Sequence, residues 1–339
     1  MTEDERLPTR GVILQPVDEP RRFIEMVREI ESLGYANLWC TDSSLHARSA
    51  YAYLTVAALT TSGPRLGTAV TNPLSRHPAV TAVEAATVDE LSGGRFVLGI
   101  GAGDRPLLAL GLAPSRLAQL GRAVEDIRRL WGGETIDGAR PGYSLHDAHL
   151  RFPVRPDLPV YMSASGPKTL AFAGGIADGV LILTGLFDAA VEWAVSCIRS
   201  GAEACGRVSS DRPHIAVCAY GAIDDEHPDE ARTAASTIAT WFPQTAPAVC
   251  ELAGLDPAVA QRVRNAYQAG EFQEAGAAGR LLPNEFVEQV ALAGGRQSAT
   301  RQIRTVLRAG ADSVQLFPLG QHRMETVRAF VDAWDDAIG

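Results

Sequence analysis

The chain has 339 residues, of which 46% are hydrophobic and 21% are charged, a composition typical of a globular protein with enough apolar residues for a large core. Its formal net charge of −9 disfavours binding to the phosphate backbone, so no nucleic-acid partner is expected. The polar first residues, MTEDERLPTR, and the lack of a long apolar run predict a cytoplasmic protein with no membrane association.

Eight short apolar runs recur along the chain and predict β-strands. They are nearly continuous rather than alternating, which is typical of parallel strands covered on both faces. The runs are GVILQ (11–15), ANLWC (36–40), RLGTAV (65–70), RFVLGIG (95–101), PVYMSA (159–164), DGVLILT (178–184), HIAVCAY (214–220) and DSVQLF (312–317).

Segments with helical periodicity separate these runs. An apolar stripe from Leu117 to Trp131, for example, stops at Gly132, as a helix with a glycine at its end would. Eight strand–helix units predict an α/β fold, a (βα)8 TIM barrel, with a doubly wound open sheet as the alternative. We expect one domain, 1–339, with a Gly/Pro-rich insertion at about 132–157 and a helical one at about 221–297, between strands 7 and 8.

In a barrel of this kind the catalytic side chains lie on the loops that follow the strands. Polar residues and glycines do follow the predicted strands. They are Asp42 and His46 after the second, Thr71, Asn72, Arg76 and His77 after the third, Gly101, Gly103 and Asp104 after the fourth, and SASGPKT (163–169) after the fifth.

These residue types have chemical uses and structural ones. Asp42 and Asp104 are predicted to serve as acid, base or hydrogen-bond acceptor, or else to cap a helix or form a loop salt bridge. His77 precedes Pro78 and is expected to cap a helix. The glycines of GIGAGD would let the backbone approach a flat ligand. SASGPKT enters a helix, so its N–H groups and Lys168 are suited to an anion such as phosphate, or simply to helix capping.

Metal and thiol chemistry have little support in the sequence. The five cysteines are scattered, with no CxxC spacing, which favours free thiols over a disulfide framework or a zinc site. No HExxH motif and no Ser-His-Asp order is present, so no metal is expected and hydrolase chemistry is disfavoured.

Two runs, GTAVTNPLSRHPAVTAVEAATVDELSGGRFVLGIGAGD (67–104) and PVYMSASGPKTLAFAGGIADGVLIL (159–183), closely resemble the luciferase-like superfamily of flavin and deazaflavin oxidoreductases. Within it, the chain is most similar to the branch that uses coenzyme F420, particularly methylenetetrahydromethanopterin reductase. The resemblance implies a TIM barrel with an insertion before the last strand, a small-molecule substrate and a homodimer or higher homo-oligomer. It also implies a non-prolyl cis peptide, which would fall at Ala69–Val70.

The same resemblance implies three groups of cofactor-binding residues. They are Asp42, Ala69, Val70, Asn72, Gly101 and Gly103 along the ring and its ribityl chain, Ala164, Ser165, Gly166, Pro167 and Lys168 around the phosphate, and Gly179 and Val180 beside the phosphate. The family's frequent Asp-His pair is Asp42-Ser43 here, which leaves His46 as a substitute acid or base. Asp104 stands where many relatives have glutamate. The predicted catalytic set is therefore Asp42, Asp104 and His46.

The function implied is hydride transfer between C5 of F420 and a small or pterin-like substrate. Two alternatives remain open. One is an FMN-dependent luciferase-like monooxygenase, and the other is a non-catalytic flavin-binding paralogue.

Overall fold

The computed structural model describes residues 7–267 and 272–339 of the chain. Eleven strands form in this part of the chain. They are β1 (Thr9–Leu14), β2 (Asn37–Cys40), β3 (Arg65–Thr68), β4 (Phe96–Ile100), β5 (Ile136–Arg140), β6 (Tyr143–Ala148), β7 (Val160–Ala164), β8 (Gly179–Ile182), β9 (His214–Ile223), β10 (Leu292–Gly294) and β11 (Ser313–Pro318).

Fifteen α-helices form in the same described residues. They are α1 (Pro20–Ser32), α2 (Ala50–Thr60), α3 (Pro78–Leu91), α4 (Arg105–Ala109), α5 (Leu117–Trp131), α6 (Pro167–Ile176), α7 (Asp188–Ala204), α8 (Pro228–Ala239), α9 (Phe242–Thr245), α10 (Pro247–Leu252), α11 (Pro257–Ala266), α12 (Phe272–Gly279), α13 (Asn284–Val290), α14 (Arg296–Arg308) and α15 (Arg323–Ile338).

The hydrogen bonds between strands confirm the predicted barrel. The order is β10-β9-β11-β1-β2-β3-β4-β7-β8, and β9 also pairs with β8, so eight parallel strands close on themselves. Each of these eight coincides with one of the predicted apolar runs. The open doubly wound sheet is therefore excluded. The remaining strand, β10, extends the pairing of β9 at Gly221, Ala222 and Ile223.

The predicted insertion at 132–157 contains secondary structure that its composition did not indicate. Strands β5 and β6 form an antiparallel hairpin in which Arg140 pairs with Tyr143. Pro141 and Gly142 make the turn, and Gly142 has a φ of 90°, a conformation that favours glycine. Between β9 and β11, where the helical insertion is predicted, the described residues form helices α8–α14 and β10.

The chain divides into two compact units, of which the first comprises Ile13–Ser163 and Ala177–Gly179. Its first helix, α1, buries Phe23, Met26, Val27 and Ile30, the one-sided pattern of an amphipathic helix on a sheet. The fully buried Trp39 lies against Gly67, where the ring occupies the space that a Cβ atom would need. The Trp39 ring thus fills the interior beside Gly67, between β2 and β3.

The second unit comprises Met1–Val12, Ala164–Ile176 and Val180–Gly339. Helices α6 and α7 pack closely in it because a Cβ atom at Gly174 or Gly201 would meet a backbone carbonyl of the facing helix. A separate apolar cluster on α8–α13, centred on Phe242 and Phe286, gives this helical segment a core of its own.

An ion pair between the exposed Arg212 and the buried carboxylate of Asp312, just before β11, carries a stability prediction. Arg212 donates to both oxygens of Asp312 at 2.7 and 2.6 Å, and the Ile215 N–H donates to the same carboxylate at 2.8 Å. Asp312→Asn removes the negative charge and leaves Arg212 without its partner. Because Arg212 is partly exposed to water, we expect a loss of about 2–3 kcal/mol in the free energy of unfolding at pH 7, less than for a fully buried pair.

The pH dependence of this effect has a definite sign. Burial raises the pKa of Asp312, but the bonds from Arg212 and Ile215 outweigh it and hold the pKa below its ordinary value. The folded state therefore binds fewer protons than the unfolded one, and this contribution fades as pH falls below about 4. Urea unfolding at pH 7, 5 and 3 should show wild type and variant converging; a constant difference would contradict the prediction.

Candidate active site

The chain just after β3 contains a cis peptide, and hydrogen bonds on both sides of it connect this segment to β4 and Gly101. The Ala69–Val70 peptide is cis, as the family resemblance implies. Just before it, Thr68 Oγ1 accepts from the Gly99 N–H at 3.0 Å and donates to the Gly99 carbonyl at 2.7 Å. Just after it, the Thr71 N–H donates to the Gly99 carbonyl at 2.9 Å and the Thr71 carbonyl accepts from Gly101 at 2.9 Å. The two strands thus stay bonded across the kink.

The glycines at the end of β4 and just after it, Gly99, Gly101 and Gly103, are required for a different reason from the one predicted. At Gly99 a Cβ atom would collide with the Thr68 carbonyl, and at Gly101 it would lie 2.9 Å from Val70 Cγ2. At Gly103, which has a φ of 84°, it would collide with Leu107. The chain itself therefore fills the space on the Cβ side of these glycines. The expectation that they leave room there for a flat ligand is corrected: Gly99 and Gly101 allow the chain to pack against Thr68 and Val70, and Gly103 makes room for Leu107.

Asp42 is the buried carboxylate of this strand-end region, with 6% of its surface exposed. Its Oδ2 accepts a hydrogen bond from Thr71 Oγ1 at 2.7 Å. Arg76 Nη2 lies 3.3 Å from Oδ1 and 3.4 Å from Oδ2. Both contacts come from the loop after β3, so the loop that begins with the cis peptide also orients the carboxylate.

Arg76 is shared between two carboxylates. Its Nη1 lies 2.8 Å from Glu84 Oε2, and its guanidinium carbon lies 4.8 Å from the centre of the Tyr51 ring. Burial lowers the pKa of Arg76, but Asp42 and Glu84 raise it by more. Burial raises the pKa of Glu84, and the neighbouring Arg76 only partly reverses this. The cluster holds two acids and one base.

The rest of the loop after β3 is built by local capping. Asn72 Oδ1 accepts from the N–H groups of Leu74 and Ser75 at 3.0 and 2.8 Å, and its Nδ2 donates to Ser75 Oγ at 2.8 Å. His77 Nδ1 accepts from Ala79 N–H at 3.1 Å, so the predicted helix cap is confirmed. The buried Asn72 side chain thus shapes the turn that carries Arg76.

The other two predicted catalytic residues lie in exposed positions. His46 is exposed, and its N–H donates to the Ser43 carbonyl at 3.0 Å within a tight turn. Asp104 is exposed at the N-terminal end of α4. Neither is held by burial as Asp42 is.

The predicted phosphate segment begins helix α6. Ala164 is buried at the end of β7, whereas Pro167 and Lys168 are exposed in the first turn of the helix. A Cβ atom at Gly166 would have no neighbour within 4 Å, so the space beside this residue is open. An open backbone at a helix N-terminus next to a lysine is chemically suited to an anion.

Gly179 and Val180 lie elsewhere than predicted. They are the first two residues of β8, whereas the chemistry of a TIM barrel sits at the carboxyl ends of its strands. A Cβ atom at Gly179 would collide with the Tyr161 ring, and Val180 is fully buried. Packing in the barrel interior explains why these positions hold a glycine and a valine. Because both lie at the start of β8, they are not included in the cofactor-binding set.

Three functional candidates were missing from the predicted binding set. Thr71 and Arg76 are visible in the sequence as polar residues after the third strand, but nothing there shows that both contact Asp42. Glu84 had no signal, since a glutamate on a helix is ordinary. It lies two turns along α3, on the face that Arg76 reaches.

The described residues contain no group of three or more His, Cys, Asp or Glu side chains placed to hold a metal ion. Among the helices that the structure describes, none combines the length and apolar character that a bilayer crossing requires.

Comparison with known proteins identifies the family. Residues 5–313 match the family model described as luciferase-like monooxygenase. The 5,10-methylenetetrahydromethanopterin reductase of Methanolobus tindarius is 30% identical, over 94% of this chain and 97% of that protein. An F420-dependent glucose-6-phosphate dehydrogenase of Microbacterium testaceum is 31% identical, over 80% and 83%.

A solved structure shows the same relationship. The coenzyme F420-dependent tetrahydromethanopterin reductase from Methanopyrus kandleri superimposes with a TM-score of 0.82 at 28% identity, covering 96% of this chain and 97% of that one. Sequence and fold therefore agree over nearly the full length of both proteins. The chain belongs to the luciferase-like monooxygenase family.

Proposed function

We propose that this protein is an F420-dependent oxidoreductase that transfers a hydride between the deazaflavin and a small or pterin-like substrate. The observation that carries the proposal is the near full-length similarity to reductases whose names specify methylenetetrahydromethanopterin or F420. When bound, F420 supplies a carbon, C5, that gives or accepts hydride. The protein's part is to bind and orient the reactants and to place a proton donor.

The residues around Asp42 fit the ring of such a cofactor. Asp42 Oδ1 has only the long contact with Arg76, so it can still accept from a ring N–H. Thr41 Oγ1, next to it, is buried without a hydrogen-bond partner and offers a further polar contact. We therefore propose Asp42, Ala69 and Val70 as ring contacts, with Asn72, Gly101 and Gly103 fixing the loops on which those contacts depend.

The segment Ala164–Lys168 fits the phosphate of the cofactor's side chain. Ser165 supplies a hydroxyl, Gly166 has open space beside it, and Lys168 supplies a positive charge. Lys168 is the only lysine of the chain. We propose that these residues bind the phosphate by backbone N–H groups at the start of α6, supported by the lysine.

Lys168→Ala is expected to weaken F420 binding about tenfold. The lost interaction is a charge-assisted hydrogen bond to phosphate, and the exposure of Lys168 places its value near 1.5 kcal/mol, at the lower end for such bonds. Fluorescence titration at two salt concentrations measures the effect. Lys168→Arg keeps the charge and should retain most of the affinity; an unchanged dissociation constant for the alanine variant would reject the phosphate role.

Asp104 and His46 are proposed as the groups that exchange a proton with the substrate. Both are exposed on loops that follow barrel strands, where a bound substrate is accessible in this fold. Asp104 supplies a carboxyl group and His46 an imidazole, and either type serves in general acid–base catalysis.

A pterin-like substrate is favoured by one feature of the second unit. Tyr220 and Phe317, neighbours at the carboxyl-terminal parts of β9 and β11, stack with ring centres 4.6 Å apart and planes 11° apart. Both are only partly buried. An aromatic face attracts a planar heterocycle more strongly than a sugar phosphate, so we propose the pterin class ahead of a sugar phosphate.

Titration with oxidised F420 and with FMN tests the proposal, followed by turnover without oxygen on methylenetetrahydropterin and glucose 6-phosphate. Binding of F420 and oxygen-independent turnover of the pterin support it. The second candidate, suggested by the family description of a monooxygenase, is an FMN enzyme, for which oxygen consumption with a flavin reductase is diagnostic. Tight binding without turnover would indicate a non-catalytic paralogue.

Three further expectations are proposals of the same kind. We propose that the chain works as one domain, that it assembles as a homodimer or higher homo-oligomer, and that it acts in the cytoplasm. Light scattering of the purified protein tests the assembly, and limited proteolysis tests the single domain.

A further inference from the structure

In the Asp42–Arg76–Glu84 cluster, the guanidinium of Arg76 contacts two carboxylates at different distances. Arg76 approaches Glu84 with Nη1 at 2.8 Å, but it approaches Asp42 with a single nitrogen, Nη2, at 3.3 and 3.4 Å. A relaxed arginine–carboxylate fork uses two nitrogens at about 2.7–2.9 Å. The ion pair with Glu84 is therefore the shorter contact, although only the two contacts with Asp42 have hydrogen-bond geometry, since Glu84 Oε2 has no hydrogen-bond partner.

The orientation of Arg76 leaves one of its donors unused. The Nε atom is buried and has no hydrogen-bond partner, which is an unfavourable state for a guanidinium N–H. A rotation toward Asp42 would allow a second nitrogen to bond that carboxylate. The contact with Glu84 opposes this rotation, because Glu84 contacts Nη1 of Arg76 whereas Asp42 contacts Nη2.

The surroundings leave few other groups that compete for Arg76. The charged or titratable side chains in the cluster are Asp42, Glu84 and the buried Tyr51, whose ring lies under the guanidinium. Burial raises the pKa of Tyr51 well above its usual value, so the phenol stays neutral. Glu84 is thus the second anion that decides where Arg76 points.

We propose that Glu84 is a positioning residue for the cofactor, which holds Arg76 away from a two-nitrogen grip on Asp42 and so keeps Asp42 Oδ1 open to a ring N–H. The inference rests on the proposed function, because the ligand of Asp42 is taken to be the F420 ring. Glu84 itself does not touch the ligand; it acts through Arg76.

The test compares F420 dissociation constants for wild type, Glu84→Gln, Arg76→Met and the double variant. We expect Glu84→Gln to raise the dissociation constant about five- to tenfold, because Arg76 then closes on Asp42. In the Arg76→Met background, Glu84→Gln should change the F420 dissociation constant less than about twofold. Residues that act through one another are non-additive in this way. The matched control is Glu125→Gln, an exposed partner of Arg122 at 2.9 Å, which removes the same charge and should leave binding unchanged.

Two further readouts separate positioning from a structural role and from failure of the proposed function. The thermal midpoint of each cofactor-free variant measures stability, with Arg76→Lys replacing Arg76→Met if the latter does not fold. A crystal structure of cofactor-free Glu84→Gln should show two Arg76 nitrogens on Asp42.

The outcomes divide cleanly. Weaker F420 binding that depends on Arg76, with Arg76 turned in the crystal, supports the inference. If wild type binds F420 and Glu84→Gln binds it equally well, or loses only thermal stability, the inference is overturned while the proposed function stands. If wild type binds no F420, the proposed function fails and the ligand assignment fails with it. An unmoved Arg76 in Glu84→Gln overturns the positioning role in either case.

Discussion

Asp42→Asn is expected to lower kcat/KM about 100-fold and to weaken F420 binding with it. Asparagine keeps the shape of the side chain but loses the charge, and a charge-assisted hydrogen bond is worth about 1.5–3 kcal/mol, or roughly 10- to 150-fold. Its amide also presents an N–H where the carboxylate presents an acceptor, so a donor on the ligand meets a donor on the protein. Steady-state kinetics together with fluorescence titration measure both effects.

The comparison variant for Asp42→Asn is Asp104→Asn. Asp104 is an exposed carboxylate at the start of α4, and its proposed role is proton exchange with the substrate. We expect its amide variant to lose turnover while keeping its affinity for F420. If Asp42→Asn retains wild-type affinity, or if the two variants have the same profile, the division of roles between the two carboxylates is wrong. Thermal midpoints of both variants show whether folding is intact.

Gly99→Ala is expected to cause the largest loss of stability of any single methyl addition proposed here, about 3 kcal/mol or more. The new Cβ atom would overlap the backbone carbonyl of Thr68 and also press on Val70 Cγ1 at 3.3 Å. A carbonyl cannot rotate away as a side chain can, so β3 and β4 must separate, and overpacking that moves the backbone exceeds the usual 1–3 kcal/mol. Chemical denaturation measures the loss.

The matched control is Gly276→Ala in α12. A Cβ atom there meets nothing within 4 Å, and replacing a helical glycine by alanine stabilises a helix by up to about 1 kcal/mol. Gly276→Ala should therefore equal or exceed wild type in stability. Because the displaced loop also holds Asp42, Gly99→Ala should weaken F420 binding as well. A Gly99→Ala variant with wild-type stability and normal F420 binding would contradict the prediction, since it would show that β3 and β4 can accommodate the extra methyl group.

Much of the fold was predictable because barrel strands leave a local signal. Each strand is buried on both faces, so it appears as a continuous apolar run, and all eight runs became barrel strands. His77 before Pro78 indicated a helix start, and the side chain caps α3. The hairpin of β5 and β6 was not predictable from its Gly/Pro-rich composition, since its strands are mostly exposed and lack the apolar pattern of a core strand.

The site was predictable as a set of loops but not as a set of contacts. The sequence by itself determined that Asp42, Thr71 and Arg76 follow strands of one barrel, because strand order and apolar patterning are local properties of the chain. Only the tertiary structure decided that Thr71 and Arg76 bond Asp42 and that Glu84 contacts the same guanidinium. It also decided that the chain itself fills the space on the Cβ side of Gly99, Gly101 and Gly103. These contacts join residues that are about 8 to 42 positions apart in the chain. Hydrophobic periodicity along the sequence predicts helices and strands, but it does not predict distances between such residues.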